Sequence, residues 1–218
     1  MTELYLVRHC EAQGNVDRVV QGILDTEVTE MGKLQLEHLA KRFDSIDVDV
    51  VLASPLKRTR ATAHAIADRK GLDVVIDDGF IEMNCGIYEG VPFENLFPDP
   101  AFVDMWNNRP QDFAPEGGET QQEVYIRIWD TVQNAARIYK NKKVAVATHG
   151  AVLRTLLSRI LFDDLNCLAK VPYGFNTAIT LLRFDDDMNL ELVFYNDHSH
   201  LPEECVPKES AVPDAPEE

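Results

Sequence analysis

The chain of 218 residues carries 45% hydrophobic and 27% charged residues, apolar material enough for one domain with its own core. Its formal net charge of -16 excludes a general nucleic-acid or anionic-membrane surface, which needs a basic face, so an anionic ligand must be captured locally. The four cysteines lack C-x-x-C spacing, and no basic-then-apolar leader or run of about 18 apolar residues occurs, so the expectation is a cytoplasmic protein with reduced thiols.

Residues 4–7 are a short apolar run that stops at Arg8-His9, the pattern of a buried strand delivering polar residues at its C-terminal end. Residues 30–43 set Leu34, Leu36, Leu39, Ala40 and Phe43 near helical spacing, which predicts an amphipathic helix. Residues 48–53 read as the next buried strand. Ser54-Pro55 then reads as the N-cap and first residue of a helix over 56–69, stopped by Gly71. A short strand follows at 74–76. Residues 77–118 hold several Pro and Gly and little periodicity; a long irregular segment inside a domain is usually functional, so they are expected to form a lid. Thr120 and Glu123 make a capping box for a helix over 120–139. The run 144–147 is strand-like and ends at Thr148-His149-Gly150, an apolar helix spans 151–161, and two closing strands lie at 177–184 and 190–195. The mostly βαβ order implies a largely parallel sheet with helices on both faces. The domain is expected to span 1–201, and 202–218, with four prolines and six acids against Lys208, to be a disordered acidic tail.

Three signals fall at predicted strand-to-helix junctions, where open α/β sheets build ligand sites: Arg8-His9, Ser54-Pro55 with Arg58, and His149-Gly150. Two histidines and two arginines converging there point to phosphoryl chemistry, because an imidazole can attack phosphorus while guanidinium forks hold phosphate oxygens. Other motifs fail. There is neither a G-x-x-x-x-G-K-[ST] nor a G-x-G-x-x-G loop, and the acidic run 185–189 has Leu190 where a calcium loop needs Gly and Asn196 where it needs Glu. No metal and no cofactor is expected. His38 and His64 read as surface or cap residues, and His198 and His200 as late-loop residues, His200 with a structural hydrogen bond.

The ordered series Leu6-Val7-Arg8-His9-Cys10-Glu11-Ala12, Asn15, Gly22, Ser54-Pro55-Leu56-Lys57-Arg58-Thr59, Glu82, Gly86, Glu89-Gly90, residues 115–120, Thr148-His149-Gly150, Asn176 and His200-Leu201 resembles the histidine phosphatase superfamily, also called phosphoglycerate-mutase-like. The resemblance implies a three-layer α/β/α sandwich with a mostly parallel central sheet. It implies that His9 is the nucleophile and becomes a transient phosphohistidine, while Arg8, Arg58 and His149 clamp the phosphate oxygens. Asn15, Gln21, Gly22 and Gly150 match positions bordering the phosphate or the rest of the substrate. Glu82 matches the general acid; Glu89 and Glu94 in the same lid are its alternatives. Cys10 stands where many relatives carry Gly, which raises the question of backbone strain and of thiol oxidation.

Cofactor-dependent mutases of this family carry a Tyr three residues after the acid, an Arg-Arg pair in the lid and an Asn two residues after the second histidine. This chain has Cys85, the lone Arg109 and Ala151 there. The implied activity is therefore a metal-independent phosphomonoesterase, histidine acid phosphatase-like, acting on a small phosphorylated metabolite. A phosphoglycerate mutase, a phosphoprotein phosphatase and a non-catalytic phospho-ligand binding module are the alternatives. A homodimer is compatible with the sequence, and the lid aromatics Tyr88, Phe93, Phe97, Phe102, Trp106 and Phe113 serve either as lid core or as an apolar substrate wall.

Overall fold

In the computed structural model, which describes residues 1–207, strands β1 (Thr2–Arg8), β2 (Val50–Ala53), β3 (Val74–Ile76), β4 (Lys143–Thr148), β5 (Ile179–Phe184) and β6 (Leu190–Asp197) form one sheet. Its order is β3-β2-β4-β1-β5-β6. The pairs β2–β3, β2–β4 and β1–β4 are parallel, and β5 and β6 run antiparallel at one side. The antiparallel pair follows from the short acidic connection at 185–189, since a few residues close a hairpin and cannot make a parallel crossover. The helices are α1 (Gln13–Val16), α2 (Glu30–Phe43), α3 (Lys57–Ala67), α4 (Phe93–Leu96), α5 (Pro100–Asn107), α6 (Gln121–Ile138) and α7 (Gly150–Phe162).

Alternate strand residues feed two cores. Leu4, Leu6, Leu52, Val144 and Val146 face Val124, Ile128 and Val132 of α6 and Val152 and Leu156 of α7. Tyr5, Val7, Val51, Ala145 and Ala147 face Leu39 and Phe43 of α2 and Ala63 and Ile66 of α3. The result is the expected three-layer sandwich, each apolar helical stripe buried on one face of the sheet. The Thr120–Glu123 capping box starts α6 as the sequence indicates, with both reciprocal bonds made.

Three expectations shift. The N-cap of α3 is Leu56, whose side chain makes no cap bond; Asp25 Oδ1 accepts from the Lys57 amide at 2.7 Å instead, and Ser54 is left for another partner. The lid is less irregular than its composition suggests, since it contains α4, α5 and three 3-10 turns. The chain also stays packed past Leu201: Glu203–Cys205 is a 3-10 turn, Cys205 is buried, and its carbonyl accepts from Gln35 Nε2 at 3.0 Å. The part of the expected tail over 208–218 lies outside the described residues. No helix among the described residues is long and apolar enough to cross a membrane.

Candidate active site

Strand register brings the three junctions together. Arg8 lies opposite Thr148 across β1–β4, and Ala53 opposite Ala147 across β2–β4. One residue on, the His9 amide donates to Thr148 O at 2.9 Å and the Ser54 amide to Ala147 O at 3.1 Å. The residues following three neighbouring parallel strands therefore share one edge, and the His9 and His149 rings stand 5.4 Å apart between centroids.

The ring of His9 is held by its Nδ1, 2.6 Å from the Cys10 carbonyl. A carbonyl only accepts, so Nδ1 carries the hydrogen and Nε2 the lone pair; Nε2 has no protein partner among the described residues, and His9 lines the pocket. Asn176 Nδ2 donates to His9 O at 2.9 Å and fixes the backbone behind it. His149 Nε2 meets Ser54 Oγ at 2.7 Å, while its buried Nδ1 has no partner among the described residues. Burial first, then the Arg58 and Arg8 guanidinium charges, hold His9 well below the usual imidazole value. His149 is pushed down in the same way, with His9 adding to the effect of Arg58. Both rings are neutral at neutral pH.

Arg58 is fully buried and uses its terminal nitrogens on the neighbouring loop, donating to Leu24 O at 2.6 Å and Gly22 O at 2.8 Å. Arg8 Nη1 donates to Gly174 O. Both Nε atoms are buried without partners among the described residues. Burial lowers the pKa of each guanidinium, and the Glu82 carboxylate partly offsets it. Two glycines keep this packing open. Gly22 sits at φ +48°, where a Cβ would lie 2.1 Å from Glu89 Oε1, and a Cβ on Gly150 would come within 3.2 Å of Arg8 Nε.

Glu82 reaches the same pocket from the lid. Its Oε2 accepts from the Ala151 amide and its Oε1 from the Val152 amide, both at 3.1 Å, so it occupies the first turn of α7 directly beside His149. Of its two alternatives, Glu89 does not line the pocket; like Glu82, whose Oε1 also accepts from the Met83 amide at 3.0 Å, it takes backbone amides, Oε1 accepting from Ile23 at 2.9 Å and Cys85 at 3.0 Å. Glu94 is exposed and does not line the pocket. Sequence reasoning passed over Arg127 on α6, which donates to Gly79 O and Ile81 O at 2.9 Å and clasps Glu119 with Nε and Nη2 at 2.8 Å. That half-buried guanidinium fastens the chain immediately before Glu82.

The pocket spans about 540 Å³, part of it open to solvent, and its lining includes every expected site residue except His149: Arg8, His9, Asn15, Gln21, Gly22, Arg58, Glu82 and Gly150. Asn15 Oδ1 is turned onto the Ala12 amide at 3.0 Å, and Gln21 Oε1 accepts from Thr26 Oγ1 at 3.0 Å. Of the lid aromatics, Phe93 and Trp106 reach the pocket. Tyr88, Phe102 and Phe113 form the lid's own core, with Phe102 5.1 Å from Tyr88, 5.5 Å from Trp106 and 6.0 Å from Phe113 between centroids. Tyr173 also lines the pocket and carried no sequence signal. Cys10 resolves into a buried residue whose backbone is outside the left-handed region. Its amide donates to Thr62 Oγ1 at 3.0 Å, and burial pushes its thiol up to about 11. Among the described residues no group of His, Cys, Asp and Glu able to hold a metal ion occurs. Chemically, the edge presents unpartnered N–H donors around a neutral imidazole lone pair, with a carboxylate at hand. That arrangement suits a tetrahedral oxyanion and transfer of its central atom to nitrogen.

The sequence matches the histidine phosphatase superfamily (branch 1) over residues 4–198, and the chain belongs to that family. Phosphoserine phosphatase 1 of Hydrogenobacter thermophilus is 34% identical over 167 residues, spanning 76% of this chain and 79% of its own. Phosphoglycerate mutase-like protein 4 of Arabidopsis thaliana is 31% identical over 206 residues, 92% of this chain and 87% of its own. A phosphoserine phosphatase from Entamoeba histolytica, solved in complex with 3-phosphoglyceric acid, is similar at a TM-score of 0.81 with 27% identity, covering 93% of this chain and 100% of that one.

Proposed function

We propose that the protein is a metal-independent phosphomonoesterase that hydrolyses a small phosphorylated metabolite through a phosphohistidine at His9. The observation that carries this reading is the set of three buried, unpartnered donors, Arg8 Nε, Arg58 Nε and His149 Nδ1: Arg8 and Arg58 line the pocket with His9, and the His149 ring lies 5.4 Å from that of His9, whose Nε2 is free. Left bare, each would cost about 1–3 kcal/mol of desolvation; a bound phosphoryl group gives each an acceptor. His9 Nε2 attacks phosphorus, the Nε2–P bond forms and the P–O bond to the leaving group breaks as Glu82 gives the leaving oxygen a proton. Water then attacks phosphorus, returning a proton to Glu82 as the Nε2–P bond breaks. Arg8, Arg58 and His149 hold the oxygens on which charge accumulates. In this reading Ser54 donates to His149 Nε2 and so keeps the hydrogen on Nδ1, facing the phosphate.

Hydrolysis is favoured over mutase transfer by the charge of the lid. Arg109, its one base between Glu82 and Gly117, is exposed and paired with Asp104 at 2.7 Å and Asp112 at 2.9 Å, which leaves it unsuited to a second anionic group. The test is p-nitrophenyl phosphate hydrolysis with EDTA present, beside a coupled 3- to 2-phosphoglycerate mutase assay and trapping of labelled phosphoenzyme by an alkaline detergent quench. Hydrolysis with an acid-labile, base-stable phosphoenzyme and no mutase activity is expected. Robust mutase activity would replace the reading, and no turnover in either assay would leave a phospho-ligand binding module.

A further inference from the structure

We infer that the group esterified to the phosphate is an uncharged, apolar alcohol, and that leaving groups bearing a carboxylate or a second phosphate are selected against. The inference rests on the phosphatase reading and narrows its substrate. The cations lining the pocket, Arg8 and Arg58, are both at the phosphate end. Besides the uncharged amides of Asn15 and Gln21, the side chains lining the rest are Val19, Val20, Cys85, Phe93, Trp106 and Tyr173. Cys85 is a neutral thiol, pushed up by burial first and by the Glu82 carboxylate second.

Arg154, on α7, is already engaged. Its Nε donates to Val171 O at 2.6 Å, and its guanidinium carbon lies 4.7 Å from the centroid of the Tyr173 ring. It lines an adjoining cavity but not this pocket. Outward, Arg18 is exposed and also absent from the lining. A carboxylate placed against this wall would lose hydration and, with Arg8 and Arg58 taken by the phosphate, gain no counter-charge, which opposes binding. An alkyl or aryl group would exchange water for the ring faces of Phe93 and Trp106. The apolar character continues outward, because Val16 follows the lining residue Asn15, and Ile23 and Leu24 follow Gly22, all three exposed. The buried indole N–H of Trp106 has no partner among the described residues and suits an uncharged acceptor on the same substrate.

The experiment compares three primary-alcohol esters, so that leaving-group reactivity is similar: 2-phenylethyl phosphate, O-phosphoserine and 3-phosphoglycerate, each followed by phosphate release with EDTA present. For the wild-type protein kcat/KM should be at least tenfold higher for 2-phenylethyl phosphate than for the other two. Trp106→Ala should narrow that ratio to below about threefold, with Trp106→Phe restoring most of it; a ratio does not depend on the fraction of protein folded. Phosphoserine or 3-phosphoglycerate turned over as fast as the phenylethyl ester would overturn the inference and leave the phosphatase reading standing, with Arg18 or Arg154 reaching the carboxylate. Turnover of none of the three would overturn the inference, and the phosphatase reading with it if p-nitrophenyl phosphate is left intact as well.

Discussion

The phosphate end of the pocket and its lid are built by different means. At the phosphate end, position comes from the sheet: His9, Ser54 and His149 follow three neighbouring parallel strands whose hydrogen bonds fix them to the neighbouring chain. The lid hangs from few backbone tethers, such as Gly90 N to Val20 O at 2.8 Å, and is held by aromatic side chains packed on one another and by the Arg127 clasp. The first leaves Arg8 Nε, Arg58 Nε and His149 Nδ1 without partners among the described residues, whereas the second is held chiefly by ring packing. Chemistry that is common to a family fits the first kind of construction, because register leaves little freedom. Substrate choice fits the second, because an aromatic cluster can be repacked without moving the sheet.

That contrast can be broken most sharply at His9. His9→Ala should lower kcat by roughly four orders of magnitude or more, as loss of a nucleophile does, and abolish phosphoenzyme trapping; a residual rate within tenfold of wild type would remove the proposed mechanism. Phe102→Ala acts on the other region and should cost about 3–5 kcal/mol of stability, read by urea unfolding, while competitive inhibition by inorganic phosphate stays within about threefold because Phe102 does not line the pocket. Arg58→Ala should cost about 3 kcal/mol in kcat/KM, by analogy with other lost oxyanion donors, and weaken orthovanadate inhibition in parallel. Ser54→Ala should cost about 1 kcal/mol, expressed in kcat rather than KM if the serine serves to hold the tautomer of His149. The smallest expected effect is one of pH. With His9 and His149 both held well below 6.5, protonation of an imidazole should not lower kcat/KM as pH falls from about 8 to about 6.5. An acid limb centred near pH 7 would mean that an ionisation of ordinary imidazole strength controls the reaction.

The same depressed values govern stability. Unfolded imidazoles take up protons as pH falls below about 6.5 while the buried ones do not, so their contribution is complete above that pH and is lost on descent toward the folded values. His200, pushed down to about 4 by burial and hydrogen-bonded through Nε2 to Thr177 Oγ1 at 3.1 Å, places one such window between about pH 6.5 and 4. Replacing it with Gln should flatten the acid side of the stability profile there.

Local signals were legible where one segment settles its own structure. The helix over 30–43 and the strand over 74–76 fall where the sequence puts them. The capping box of Thr120 and Glu123 begins α6 with both bonds made. The helix α5 carried a readable signal as well: Asp99 caps it through the Ala101 amide and Pro100 stands in its first turn, with Phe102 and Trp106 one turn apart, yet the surrounding Pro and Gly residues masked it. What the sequence did not carry are bonds set by tertiary placement. Ser54-Pro55 has the form of a helix start, but Asp25 supplies the cap from another loop and frees Ser54 for His149. Arg127 on its helix surface looks like any exposed arginine, and its partners at Gly79, Ile81 and Glu119 are brought to it only by folding. Glu82 and Glu89 are alike in the sequence, and only folding puts Glu82 in the pocket lining and leaves Glu89 out of it.

The burial of Cys10 beside His9 makes the four thiols a timer. Cys10, Cys85 and Cys205 are buried and Cys167 is partly exposed. A maleimide should therefore label native protein once, at Cys167, and reach the others only as fast as the structure around each opens. Labelling at Cys205 would time release of the C-terminal turn from α2, at Cys85 opening of the lid, and at Cys10 separation of the strand ends that carry the chemistry. The order in which those three sites react would show which part of the fold lets go first.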